Sequence, residues 1–125
     1  MLLCRNGNIG KKYIVVLNEP VGDESYVVAK TTSNLRDRSF SIGCNPAPSV
    51  FFIPAKNEKS FPVDTLIQLS DLYEFSKAEF LKGSLTDREI EYQSDLANIT
   101  VSQLINCIRK LKDDISENHF KLITR

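Results

Sequence analysis

The chain has no tryptophan, a single histidine and a single methionine among its 125 residues. With only His119, near the tail, neither a zinc site nor a Cys-His dyad has obvious parts. Cysteine is sparse too: Cys4, Cys44 and Cys107 are odd in number, far apart and form no Cys-x-x-Cys pair. That pattern fits a reducing compartment better than a disulfide framework, so all three thiols are expected to be reduced and non-catalytic. No run approaches the roughly 20 apolar residues of a membrane-spanning helix. The start, Met1-Leu2-Leu3-Cys4-Arg5, is too short for the apolar core of a signal peptide. Net charge is zero, which argues against bulk attraction to nucleic acid or membrane. The expectation is a soluble cytoplasmic protein with no membrane partner, no metal and no cofactor.

What is present suits one globular domain, 1–125, with 42% apolar and 26% charged residues. The charge is uneven: residues 1–60 carry eight Lys/Arg against five Asp/Glu, and residues 61–125 eight against eleven. An anion site therefore belongs on the first half. Ile14-Val15-Val16-Leu17 reads as a strand buried on both faces, and Tyr26-Val27-Val28-Ala29 as its hairpin partner across a turn containing Pro20 and Gly22. Phe40 and Ile42, alternating with polar or small neighbours, predict a third strand that Asn45-Pro46-Ala47-Pro48 breaks. Val50-Phe51-Phe52-Ile53 and Thr65-Leu66-Ile67-Gln68-Leu69 complete five strands.

From Ser76 the period changes. Ser76-Lys77-Ala78-Glu79, Thr86-Asp87-Arg88-Glu89 and Thr100-Val101-Ser102-Gln103 each match a helix-starting capping box. Val101, Leu104, Ile105, Ile108 and Leu111 form one apolar stripe expected to dock on the sheet, and a last short helix is expected after Ser116. The fold class expected is mainly β with α, a small β-barrel or curled sheet with a barrel core over 10–75 and a helical C-terminal part over 76–125.

Three groups could carry chemistry. Gly7, Gly10, Lys11 and Lys12 bring flexible backbone and two cations to the start of a buried strand. Those lysines could meet a phosphate, or simply guard a strand edge. Lys30-Thr31-Thr32-Ser33-Asn34, with Arg36 and Arg38, offers hydroxyls, an amide and cations at a strand end. Such a set suits a phosphate-binding rim, and equally a turn in which Thr, Ser and Asn bond their own backbone. Asp64, Asp71, Glu74 and Glu79 are carboxylates whose spacing matches no metal motif.

Segments in the middle of the chain resemble the MazF/PemK family, the ribonuclease toxins of bacterial toxin–antitoxin pairs. Gly10-Lys11-Lys12-Tyr13-Ile14-Val15-Val16 is similar to that family's Gly-Arg-Arg-Pro and following apolar strand, and Thr31-Thr32-Ser33-Asn34 to its Leu-Thr-Ser-Asn. Asp64-Thr65-Leu66-Ile67 resembles its Asp-Ser-hydrophobic strand, and Leu85-Thr86-Asp87-Arg88-Glu89 its helix start. The resemblance runs from about residue 10 to about residue 111. It implies an SH3-like β-barrel, a homodimer and a cognate antitoxin as partner. It also implies metal-independent cleavage of single-stranded RNA, through attack of a ribose 2′-hydroxyl on the adjacent phosphate. Lys12 would stand at the catalytic cation and Thr32 at the active-site threonine, with Lys11, Ser33, Asn34, Arg36 and Arg38 binding RNA. Two other readings stand beside it: a catalytically inactive barrel that binds a protein partner, and an inhibitor or immunity protein whose acidic second half matches a basic toxin.

Overall fold

Short β-branched and aromatic runs favour pleated, half-buried strands, and here they assemble into one antiparallel sheet. The computed structural model describes residues 2–7, 10–59, 61–81 and 90–124; the side chains of 2–7, 10–12 and 90–93 lie outside that description. In chain order the strands are β1 (Leu2–Gly7), β2 (Gly10–Val16), β3 (Tyr26–Thr32), β4 (Gly43–Asn45), β5 (Val50–Ile53), β6 (Thr65–Gln68), β7 (Tyr73–Phe75) and β8 (Ile90–Ser94). The helices are α1 (Lys77–Leu81), α2 (Asn98–Lys110) and α3 (Glu117–Thr124). Strand order is β4-β5-β6-β3-β2-β1-β8, with β7 pairing β3 off that path. The sheet is not closed, and among the described residues β4 and β8 form its ends.

The expected hairpin is present: β2 and β3 pair antiparallel through Ile14↔Lys30, Val15↔Ala29 and Val16↔Val28. Its turn carries Gly22 at φ +62°, a left-handed value that glycine adopts without a Cβ clash. On its other edge β3 changes partner along its length. Tyr26, Val27 and Val28 pair with β7, whereas Thr31 and Thr32 pair with Ile67 and Leu66 of β6.

Both faces of the β2–β3 hairpin are covered, as the unbroken run Ile14-Val15-Val16-Leu17 requires. On one face Val15, Val27, Ala29, Phe51, Phe61, Ile67 and Leu69 pack with Leu104 and Ile108 of α2 and Ile123 of α3. On the other, Ile14, Val16 and Val28 pack with Tyr26, Tyr73, Phe75 and Phe80. Phe80 of α1 stacks on Tyr26 at 4.5 Å. The α2 stripe docks as its spacing predicts, with Leu104, Ile108 and Leu111 buried; Val101, at its upper end, stays 40% exposed.

Several expectations are corrected. The second half is not purely helical, because β8 pairs with β1 and extends the sheet. Residues 38–42 run off the ladder, and the third strand of the expected five is instead Gly43–Asn45. The capping box at Ser76 forms: the Glu79 carboxylate accepts from the Ser76 N–H at 3.0 Å and the Ser76 hydroxyl from the Glu79 N–H at 3.0 Å. The box at Thr86 falls outside the described residues. The box at Thr100 does not start α2, whose N-cap is Ala97. There the buried Glu58 carboxylate accepts the Ala97 N–H at 3.1 Å, doing from a distant loop what a local glutamate does in a capping box.

The cysteines also depart from expectation. Cys44 of β4 and Cys107 of α2 form a disulfide, with Cα atoms 5.3 Å apart at a sequence separation of 63. Two strongly separated cysteines become neighbours because α2 crosses the β4 end of the sheet. The argument from cysteine number to a reducing compartment therefore loses its basis. The Cys4 side chain lies outside the description. Among the described residues no helix is long and apolar enough to cross a membrane.

Candidate functional site

Side chains alternate across a strand, so β5 and β6 each present one set of residues to the core and another outward. Phe51, Ile53, Ile67 and Leu69 face the core. Val50 pairs with Gln68, and Phe52 with Leu66, on the outward face. The segment 33–42, leaving β3, folds over that face and encloses a cleft of 310 Å³. Its apolar wall comes from Leu35, Phe40, Pro48, Val50 and Leu66. Its polar rim comes from Thr32, Asn34, Arg36, Arg38, Gln68 and Ser70.

The covering segment is shaped by local bonds. Thr32 Oγ1 accepts from the Asn34 N–H at 3.1 Å, and Asn34 Oδ1 accepts from the Arg36 N–H at 3.1 Å. The Arg38 N–H then donates to the Leu35 carbonyl at 3.1 Å, closing a turn whose central residues, Arg36 and Asp37, have φ of +53° and +59°. Two successive non-glycine residues in the left-handed region cost free energy, and such conformations concentrate at functional sites. Both arginines are exposed. Among the described residues, neither Arg36 nor Arg38 is ion-paired with a carboxylate. The Arg38 guanidinium carbon lies 5.2 Å from the centre of the Phe40 ring. Phe40 in turn lies 6.2 Å from Phe52. Beyond the turn, Asn45 ties the segment to β4, donating to the carbonyls of Ser41 and Gly43 at 2.8 and 3.0 Å.

Thr32 is shared between this cleft and a second of 310 Å³, lined by Tyr13, Thr31, Ser33, Phe61 and Thr65 among others. A shallower hollow beside them brings Ser33, Asn34 and Arg36 together with the carboxylate residues Asp37 and Asp64. Thr32, Ser33, Asn34, Arg36 and Arg38 thus gather on one continuous surface at the β6 end of β3. Lys11 and Lys12 lie on β2, with side chains outside the description. The β2–β3 pairing ends at Ile14↔Lys30; continued two residues further, the same register would set the backbone of Lys12 across from Thr32.

The turn bonds expected of the Thr-Ser-Asn stretch are present. Thr32 and Asn34 do bond neighbouring backbone, as turn residues do, and both also line the cleft. Gln68 and Phe40 belong to the site without being marked in the sequence; the one signal is a polar residue inside the apolar run Leu66-Ile67-Gln68-Leu69. The acidic candidates scatter. Asp64 accepts the Ala55 N–H at 2.8 Å, Glu74 contacts His119 at 2.7 Å, and Glu79 caps α1. Among the described residues, no group of three or more His, Cys, Asp or Glu side chains converges.

The fold and site define a mainly antiparallel β domain with helices and an open, arginine-rimmed cleft on the outward face of β5 and β6. No family model, no curated protein and no solved structure matches the chain.

Proposed function

We propose that this chain binds single-stranded RNA along the surface around Thr32 and cleaves it without a metal, as a divergent MazF/PemK-like toxin. The observation that carries the proposal is the gathering of Thr32, Asn34, Arg36 and Arg38 on one open cleft beside an apolar wall that includes Phe40. Guanidinium groups bind phosphate oxygens in a bidentate way, and aromatic and guanidinium planes take unstacked bases. In the reaction the ribose 2′-hydroxyl attacks the adjacent phosphorus, the 5′-oxygen leaves, and the products are a 2′,3′-cyclic phosphate and a 5′-hydroxyl. Lys12 would offset charge on the phosphorane and Thr32 would position one of its oxygens. The change of partner along β3, from β7 to β6, supports reading the sheet as an opened SH3-like barrel. This reading places the working protein in the cytoplasm with its substrate, as a homodimer held in check by an antitoxin.

The carboxylates of Asp37 and Asp64, sharing a hollow with Arg36, favour a second reading. In it the same mixed-charge surface engages a protein, as an inactive binding module or an inhibitor. Incubating the purified protein with a 5′-labelled single-stranded RNA in EDTA separates the two. Cleavage to cyclic-phosphate ends, lost in Thr32→Ala, is the expected result. Intact RNA together with an unretarded gel band would overturn the RNA reading.

A further inference from the structure

The cleft has a feature that phosphate binding does not require. Arg38 lies over Phe40, and Phe40 lies against Phe52, so a flat cation is held on an aromatic support. Cation–π contact of this kind restrains the guanidinium plane and leaves its far side able to stack. On the same outward face as Phe52, β6 lines the cleft with Gln68, from a strand whose adjacent residues, Ile67 and Leu69, are fully buried. A side chain on a rigid strand is positioned more tightly than one on a loop. The Gln68 side chain is half-buried and makes no hydrogen bond to any described residue. The floor between, Val50 and Leu66, is apolar and only 8% and 5% exposed. The cleft's 310 Å³ lies at the small end of the range for ligand sites.

We infer that this cleft is a base-reading pocket: it takes one unpaired nucleobase, stacked on the Arg38–Phe40 pile, with the Gln68 amide bonding its edge. The inference rests on the RNA reading above and adds the residue that sets sequence preference. A carboxamide offers one acceptor and one donor group side by side, which matches a base edge presenting a donor next to an acceptor. The hydroxyl of Thr32 and the guanidinium of Arg36, on the rim, would then face the sugar and phosphate of the same nucleotide. Sequence preference resides in Gln68, and general affinity in the arginines.

The test uses fluorescence anisotropy with four labelled RNAs, each an otherwise identical oligomer rich in A, C, G or U and made uncleavable by 2′-O-methyl groups, on the wild-type protein and three variants. Gln68→Ala should flatten the wild-type preference by roughly tenfold or more, because a bidentate base contact carries about that discrimination. Gln68→Glu, nearly isosteric and acceptor-only, should move preference toward the guanine-rich RNA, whose base edge presents two adjacent donors. Arg38→Lys should weaken binding of all four RNAs while keeping the salt dependence, since the charge stays and the flat stacking surface is lost. Circular dichroism on each variant controls for folding. If the wild type binds the RNAs and both Gln68 variants keep its order of preference, the pocket assignment fails and the RNA reading survives. If the wild type binds none of them, both fail and the protein-binding reading takes their place.

Discussion

The Thr31 hydroxyl donates to the Tyr13 carbonyl at 2.8 Å, pinning the last turn of the β2–β3 ladder from the side-chain direction. Because successive residues alternate across a strand, fixing Thr31 also fixes which way Thr32 points. On the other edge, Thr32 pairs with Leu66. The candidate threonine is therefore held by β6 directly and by β2 through Thr31, and the β2–β3 register continued past Ile14↔Lys30 would set Lys12 across from it.

If that pair performs cleavage, Lys12→Ala should lower the rate of RNA cleavage by roughly 100-fold or more, the scale of losing one charge-stabilising donor. Lys12→Arg should keep most of it. Thr32→Ser preserves the hydroxyl that accepts the Asn34 N–H and should stay active, whereas Thr32→Ala should not. Single-turnover kinetics on a labelled RNA measures all four. Undiminished cleavage by Lys12→Ala would remove the lysine from the mechanism.

The Cys44–Cys107 bond closes a loop spanning 63 residues of sequence. In the chain-entropy account, a bond closing a loop of that length stabilises the fold by about 4 kcal/mol. Urea unfolding with and without dithiothreitol should show a loss of that order, and a Cys44→Ala/Cys107→Ala variant should match the reduced protein and ignore the reductant. Equal midpoints for the wild type in both conditions would mean that the thiols are free in solution.

Asp37 occupies a left-handed conformation at φ +59°, where glycine rests without strain. Asp37→Gly should raise unfolding free energy by about 1 kcal/mol. It also removes one carboxylate beside Arg36, so RNA affinity should hold or rise. A fall in affinity would point instead to Asp37 as a contact for a basic protein.

The Ser76 N–H, and after it the Ser76 hydroxyl, hold the Glu79 carboxyl below its ordinary value near 4.5. A depressed carboxylate pKa adds stability above the unfolded-state value, and that stability is lost as pH falls through the folded-state value. The start of α1 should therefore loosen in acid, below about pH 4.5, and not at neutral pH. Glu79→Gln should flatten this acid limb in hydrogen exchange of the α1 amides, and an unchanged limb would assign it to other groups.

The elements legible in the sequence are those whose apolar spacing agrees with their burial. Val50-Phe51-Phe52-Ile53 coincides with β5, while Ile14-Val15-Val16-Leu17 and the Leu104, Ile108 and Leu111 stripe each run one residue past the end of β2 and α2 and are buried throughout. β8 escapes although Ile90-Glu91-Tyr92-Gln93 alternates as a strand does, because the neighbouring Thr86 capping-box match argues for a helix. The start of α2 is set by Glu58, 39 residues from Ala97, and no local pattern can encode such a partner. The cleft follows the same logic. Its arginines and hydroxyls are contiguous in sequence, whereas Gln68 and Phe40 meet only because segment 33–42 folds over β5 and β6.

The disulfide has a further consequence for the life of the molecule. Its span takes in β5, β6, β7, α1 and β8, and so separates Arg36 and Arg38 in sequence from Gln68 across the cleft. A single cut by a protease anywhere between residues 44 and 107 divides the backbone but not the molecule. The two pieces migrate as one under oxidising electrophoresis and part only when reductant is added, so the nicked protein can carry both walls of its cleft until the sulfur–sulfur bond is broken.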